Sequence, residues 1–330
     1  MDLNTKLHLN NKTILNNRIV VPPMASQTAN KRGFVTQETL NHYKRLTLSR
    51  AALLMLEYTF IHPSGRSEEN QLGISSDDHI QGLSTLVNII ESANSIPAIQ
   101  LTHAGGKTSR NLTDGSMISP SAIKVPTKEN NLDTPDLASV NQINLMKKSF
   151  VESAIRAHKA GFKVIELHSA HGYGLNQWLS PLTNKRNDLY GGDLISRSRL
   201  IVEIIDEIRL NLPHIILSVR VPGMDHFQGG FSINESIELS KILEAHGVDI
   251  INVSSGLGGW RRPRQRRGEG YLVDDAKLIQ QAINIPVIGV GGIKTKDYIN
   301  KSLNEGFFSL AAIGRAILNN PNWGNEVGVS

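Results

Sequence analysis

Residues 165–173 read Ile-Glu-Leu-His-Ser-Ala-His-Gly-Tyr, so two histidines stand three apart and a tyrosine follows two residues later. At a strand exit this spacing lets both imidazoles converge on one small acceptor. Three readings compete. A metal site normally takes a third ligand at defined spacing, and neither an HExxH pair nor a carboxylate set accompanies His168 and His171. A pair of hydrogen-bond donors to a carbonyl or phenolate oxygen, with Tyr173 delivering a proton, suits the residue types better. Two histidines satisfied within a loop are the third reading.

Two glycine-rich stretches, Gly289-Val-Gly-Gly292 and Ile313-Gly-Arg315, could let backbone N–H groups approach a phosphate. The same strings also serve as ordinary turns. Arg220, after a β-branched run, is a candidate fixed positive charge, or else the partner of Glu57 or Glu166 in an ion pair.

These residues need a scaffold that collects them. Eight short apolar runs alternate with longer amphipathic segments: 18–21, 52–57, 98–101, 163–168, 215–220, 249–253, 286–290 and 309–313. The alternation is that of repeated βα units, and nearly continuous apolar character marks strands covered on both faces. Helical periodicity is clearest over 144–160 and 196–210. An open doubly wound sheet would have weaker edge strands, and none stands out, so closure into one (β/α)8 TIM barrel spanning residues 1–330 is expected.

In such a barrel the chemistry lies where strands end. The candidate residues all fall there: Pro23-Met24-Ala25, Glu57-Tyr58, Gln100 with His103, His168 to Tyr173, Arg220, Ser254-Ser255-Gly256, Gly291-Gly292 and Gly314-Arg315. Ahead of the first strand, 6–9 and 13–15 flank Asn10-Asn11 and predict a β-hairpin capping the barrel bottom. Residues 111–136 are polar and aperiodic, which predicts a long excursion above the third strand.

Composition narrows the classes further. The chain has no cysteine, which excludes disulfides, thiolate metal sites and cysteine-held iron–sulfur clusters. Its start lacks an apolar signal segment and no run is long enough to span a membrane, which predicts a soluble, cytoplasmic protein without a membrane partner. The net charge of +5 equals the five arginines of the loop 260–268 (Arg261, Arg262, Arg264, Arg266 and Arg267), so no basic face for nucleic acid is expected.

Nine strings in order carry a resemblance: NRIVVPPM (17–24), GRSEENQLGI (65–74), IQLTHAGGK (99–107), SPSAI (119–123), the long string 160–192, SVRV (218–221), VSSG (253–256), GVGGI (289–293) and IGRAIL (313–318). On these the chain resembles the Old Yellow Enzyme family of NAD(P)H:flavin oxidoreductases, from Asn17 to about Pro321. The resemblance implies one FMN across the barrel mouth and NAD(P)H as reductant. Pro23, Met24, Ala25, Tyr58 and Gly256 would lie along the flavin and Gln100 would bond its pyrimidine edge. Arg220 would stabilise the reduced anionic ring, and Gly291, Gly292, Gly314 and Arg315 would hold the phosphate. His168 and His171 would bind the substrate's activating oxygen, with Tyr173 as proton donor in ene-reduction.

The sequence departs from the family at Ala25, Gln27, Tyr58 and Gly106, where relatives often carry Cys or Thr, an aromatic, a small residue and Arg respectively. Relatives also generally continue beyond the counterpart of Ser330, where a longer tail can make oligomer contacts; a homo-oligomer is compatible with the sequence. The arginine loop could meet phosphates of NADPH or of an anionic substrate, or be solvated. Two other outcomes stay open: a flavin oxidoreductase with a different acceptor, through nitro reduction or oxidative demethylation, and a flavin- or phosphate-binding barrel without efficient turnover.

Overall fold

A computed structural model describes residues 1–9, 13–113, 115–126 and 132–330. Eight parallel strands close into a barrel in chain order. They are β1 (Ile19–Val21), β2 (Leu53–Phe60), β3 (Ile96–Thr102), β4 (Val164–His168), β5 (Ile216–Pro222), β6 (Ile250–Ser254), β7 (Val287–Gly289) and β8 (Leu310–Ala312). The (β/α)8 architecture expected from the alternating runs is thus the observed one, with every expected strand present.

Helices cover the outside, and their ends follow local chemistry. The helix Val140–Ala160 starts in a capping box between Ser139 and Gln142. It stops at Gly161, whose φ of 105° is readily adopted only without a Cβ. Leu194–Asn211 starts on the Asp193 side chain, which accepts from the Ser196 N–H.

At the barrel bottom, Leu7–His8 pairs antiparallel with Ile14–Leu15. The expected turn residues Asn10-Asn11 lie outside the described residues. Leu15 is fully buried and packs in one cluster with Val20, Leu53, Ala98, Val164, Ile216, Ile250, Ile288 and Leu310, so the hairpin does cap the barrel. The excursion after β3 holds two short strands that the aperiodic sequence did not suggest, Ile118–Ser119 and Asp136–Leu137, paired in parallel.

Inward positions change character two residues at a time along the strands. Ala98, Val164, Ile216 and Ile250 belong to the apolar bottom cluster. One step up, Gln100, Glu166, Ser218 and Asn252 form a buried polar layer, and above them stand Thr102, His168, Arg220 and Ser254. Register keeps the layers level from β3 to β5, where Gln100 is opposite Glu166, which is opposite Ser218, and His168 is opposite Arg220; between β5 and β6 it steps by one layer, so that Arg220 stands opposite Asn252.

Candidate active site

The top layer gathers the predicted residues. The ring centres of His168 and His171 are 5.0 Å apart and nearly perpendicular, and those of His168 and Tyr173 are 5.1 Å apart. All three side chains are buried. His171 reaches this position through a left-handed backbone, φ 60°, a conformation that costs a non-glycine residue about 1–3 kcal/mol and tends to occur at functional sites. Lys107 fixes the same loop by donating to the His171 carbonyl at 2.7 Å, and its ammonium lies 4.8 Å from the centre of the Tyr173 ring.

Both histidines are held well below their ordinary pKa, by burial first and then by the Arg220 charge, so they act as neutral imidazoles. His168 Nδ1 accepts from the Ala170 N–H at 3.4 Å, which puts the ring proton on Nε2. His171 Nε2 lies 2.6 Å from Ser254 Oγ, and the same hydroxyl accepts from Arg220 at 3.3 Å. One imidazole therefore offers a ready donor, while the other is tethered.

Beneath them Glu166 is fully buried and accepts from Gln100 at 2.7 Å, Ser218 at 2.8 Å and Asn252 at 2.9 Å. Burial raises its pKa, opposed chiefly by Arg220. Of the two carboxyls considered for Arg220, Glu166 is the one whose charge acts on it, and neither forms an ion pair with it among the described residues. Glu57 instead accepts from the Ser26 hydroxyl at 2.5 Å and the Tyr43 hydroxyl at 3.2 Å, tying down the loop after β1. That loop carries Pro23, Met24 and Ala25, of which Pro23 is buried and Ala25 exposed.

The opposite rim offers a cradle. Gly291 has φ 129°, and a Cβ there would sit 2.7 Å from the Leu272 nitrogen. A Cβ on Gly292 would meet Arg315 Nη2 at 3.3 Å, and Arg315 donates to the Tyr271 hydroxyl at 3.4 Å. A Cβ on Gly314 would reach Met24 Sδ at 3.3 Å, so the exits of β8 and β1 adjoin. Across this mouth Arg220 Nε and Ser255 Oγ are buried with no hydrogen-bond partner among the described residues. Orphaned donors at one end and bare backbone with a guanidinium at the other fit a flat, polar ring joined to a phosphate, as in FMN.

Sequence reasoning missed several residues. Asp225 is buried and accepts from Ser180 Oγ at 2.6 Å, Phe231 N at 2.8 Å and Leu257 N at 2.8 Å, joining the loops after β4, β5 and β6. Gly256 packs against it. Lys107 is visible in the sequence only as the last residue of the string 99–107, and Tyr271 lies outside every such string. In the arginine loop, Arg266 is committed to Asp275 by two bonds of 2.7 and 2.8 Å, so it is structural.

Comparison with known proteins shows the family. Residues 3–328 match the model of the NADH:flavin oxidoreductase / NADH oxidase family. An NADPH dehydrogenase of Halalkalibacterium halodurans is 38% identical over 313 residues, covering 94% of this chain and 90% of that protein. Among solved structures, an Old Yellow Enzyme homologue of Zymomonas mobilis superposes with a TM-score of 0.84 at 20% identity, covering 99% of this chain and 92% of its own. A 2-naphthoyl-CoA reductase superposes with a TM-score of 0.92 at 21% identity over 99% of this chain. The chain spans 52% of that protein's length, and both superpositions speak for the fold. Among the described residues no helix is long and apolar enough to cross a membrane. The chain belongs to the NADH:flavin oxidoreductase / NADH oxidase family, of Old Yellow Enzyme type, and is an NAD(P)H-dependent oxidoreductase with FMN as cofactor.

Proposed function

We propose that this enzyme reduces the activated C=C bond of α,β-unsaturated carbonyl compounds, acting on a small molecule in the cytoplasm. The observation that carries the reading is the convergence of His168, His171 and Tyr173 in a buried cup whose neighbouring fixed charge is Arg220. FMN, when bound, supplies the hydride that NAD(P)H provides.

The chain's own residues orient and polarise. His168 offers its Nε2–H to the substrate carbonyl oxygen. His171 adds a second donor by exchanging Ser254 Oγ for that oxygen. Donors aimed at an oxygen that gains charge are the largest contribution of the protein, ~3–4 kcal/mol for one donor. Tyr173 then protonates the α-carbon.

Around the cofactor, Gln100 and Arg220 address the flavin ring, with Pro23, Met24, Ala25, Tyr58 and Gly256 along it. Gly291, Gly292, Gly314 and Arg315 take the phosphate. The test is direct. Purified protein should be yellow, bleach on anaerobic addition of NADPH, and recover its colour when 2-cyclohexenone is added. A colourless protein, or bleached protein that the enone does not reoxidise, would overturn the reading.

A further inference from the structure

The loop after β6 carries five arginines that the cup does not use, and the sequence holds no carboxylate from Ile250 to Gly268. Two of the five are spent on the loop itself. Arg266 is bound to Asp275, and its N–H donates to the carbonyl of the buried Pro263 at 3.1 Å, closing a turn. Arg267 donates to the carbonyls of Arg264 and Arg266. Glu269, the first carboxylate after the loop, accepts from the N–H groups of Lys294 and Thr295 at 2.7 Å each and so serves another segment. Arg262 and Arg264, on either side of Pro263, are exposed, and neither guanidinium has a hydrogen bond or ion pair among the described residues.

The loop starts at the edge of the cup. A Cβ on Gly259 would lie 3.6 Å from Lys107 Nζ, the ammonium that donates to the His171 carbonyl and lies against the Tyr173 ring. Trp260 follows and is 65% exposed, with the Arg261 guanidinium 5.7 Å from its ring centre. Arg262 and Arg264 are three and five residues from Gly259. Even a fully extended chain keeps their backbones within about 11 Å and about 18 Å of that edge.

An exposed indole beside two guanidiniums without carboxylate partners suits a phosphorylated adenosine, whose base stacks on the ring and whose phosphate takes paired N–H donors. The geometry points to this loop as the receptor for the phosphorylated adenosine end of NADPH, with Trp260 against the adenine and Arg262 and Arg264 on the 2′-phosphate. The assignment rests on the reading that places the flavin, and so the nicotinamide, in the cup; the dinucleotide then runs outward past Lys107. The 2′-phosphate is what distinguishes NADPH from NADH, so the two arginines set the preference between them. Trp260 serves both. Coenzyme A carries the same chemistry with its phosphate on the 3′ position, and the loop is assigned to the reductant.

Stopped-flow reduction of the FMN-loaded enzyme by NADPH and by NADH tests this, because it separates the Kd of the dinucleotide from the limiting rate of flavin reduction. In the double variant Arg262→Gln, Arg264→Gln the Kd for NADPH should rise on the order of tenfold or more, as for loss of hydrogen bonds to a charged group. The Kd for NADH, both limiting rates and reoxidation by 2-cyclohexenone should stay at wild-type values. Trp260→Ala should weaken NADPH and NADH alike. As unreactive probes, 2′,5′-ADP should compete with NADPH better than 3′,5′-ADP or 5′-AMP does, and the double variant should lose that advantage. Equal affinity for the two nicotinamides before and after substitution overturns the assignment, and so does stronger competition by 3′,5′-ADP than by 2′,5′-ADP. A flavin that neither nicotinamide reduces overturns the reading of the cup and the loop with it; a flavin reduced by both with no change in the double variant overturns the loop alone.

Discussion

The two ends of the barrel are made from the same strands and obey opposite rules. At the bottom, Ala98, Val164, Ile216 and Ile250 pack against the Leu15 of the capping hairpin, with no polar atom to satisfy. Two residues further along each strand, Gln100, Glu166, Ser218 and Asn252 are equally buried but bond one another around a single carboxyl. Two further, His168 and Arg220 face the mouth. Stability and chemistry are thus separated by about two strand steps, and the middle layer insulates one from the other by spending polar groups on itself.

If the middle layer has that role, removing its centre should do the most damage. Glu166→Ala strands three donors and leaves Arg220 without its acidic neighbour, so denaturant unfolding should show a loss of about 3–5 kcal/mol. FMN retention, read from absorbance after gel filtration, should fall as well, because Gln100 and Arg220 lose their anchor. A variant as stable and as yellow as wild type would dissolve the distinction between layers.

The top layer should fail differently. His168→Ala should cut enone reduction by about 100- to 1,000-fold, the cost of one oxyanion donor, with unfolding midpoint and bound FMN close to wild type. Weakened binding of a phenolic ligand, followed by its charge-transfer band, should accompany it. Comparable loss of stability would mean that the mouth is part of the core after all.

Acid sharpens the contrast further. His168 and His171 lie well below their ordinary pKa, chiefly through burial, and burial pulls His103 down to about 3. Groups depressed in the folded state stabilise it above their ordinary value of 6.5, and that contribution is lost as pH falls below it toward the folded values. Each should contribute a slope of roughly 1 kcal/mol per pH unit in that window, measured by urea unfolding at pH 5 to 7. His103→Gln should flatten the slope by about one such share; an unaltered slope would show that the histidine is not held neutral.

The smallest effect belongs to the bottom. Ile250→Val removes one methylene from the apolar cluster and should cost ~0.5–1.5 kcal/mol, with kcat and KM unchanged. A change in kcat there would mean that packing below reaches the chemistry above.

The layers differ in how far they could be read in advance. Barrel strands are apolar on both faces, so 163–168 and 249–253 stood out as runs, whereas strand ends such as Phe60 and Pro222 lacked a boundary signal. The trio of His168, His171 and Tyr173 was legible because its members are neighbours in sequence. The Glu166 layer was not, because its donors come from three other strands and meet only when the sheet closes. The pair Ile118–Ser119 and Asp136–Leu137 escaped for a related reason: two residues per strand carry no period, and only their meeting defines them.

Asp225 has a consequence for traffic through the mouth. By accepting from Ser180, Phe231 and Leu257 it ties three neighbouring loops into one wall. In the proposed reaction nicotinamide and acceptor alternate in the same cup, so the room each needs has to come from the facing side, where Tyr58 stacks on Tyr173. Acceptor size is therefore expected to be set on that wall, and enlarging the cup should begin there and leave the clasp alone.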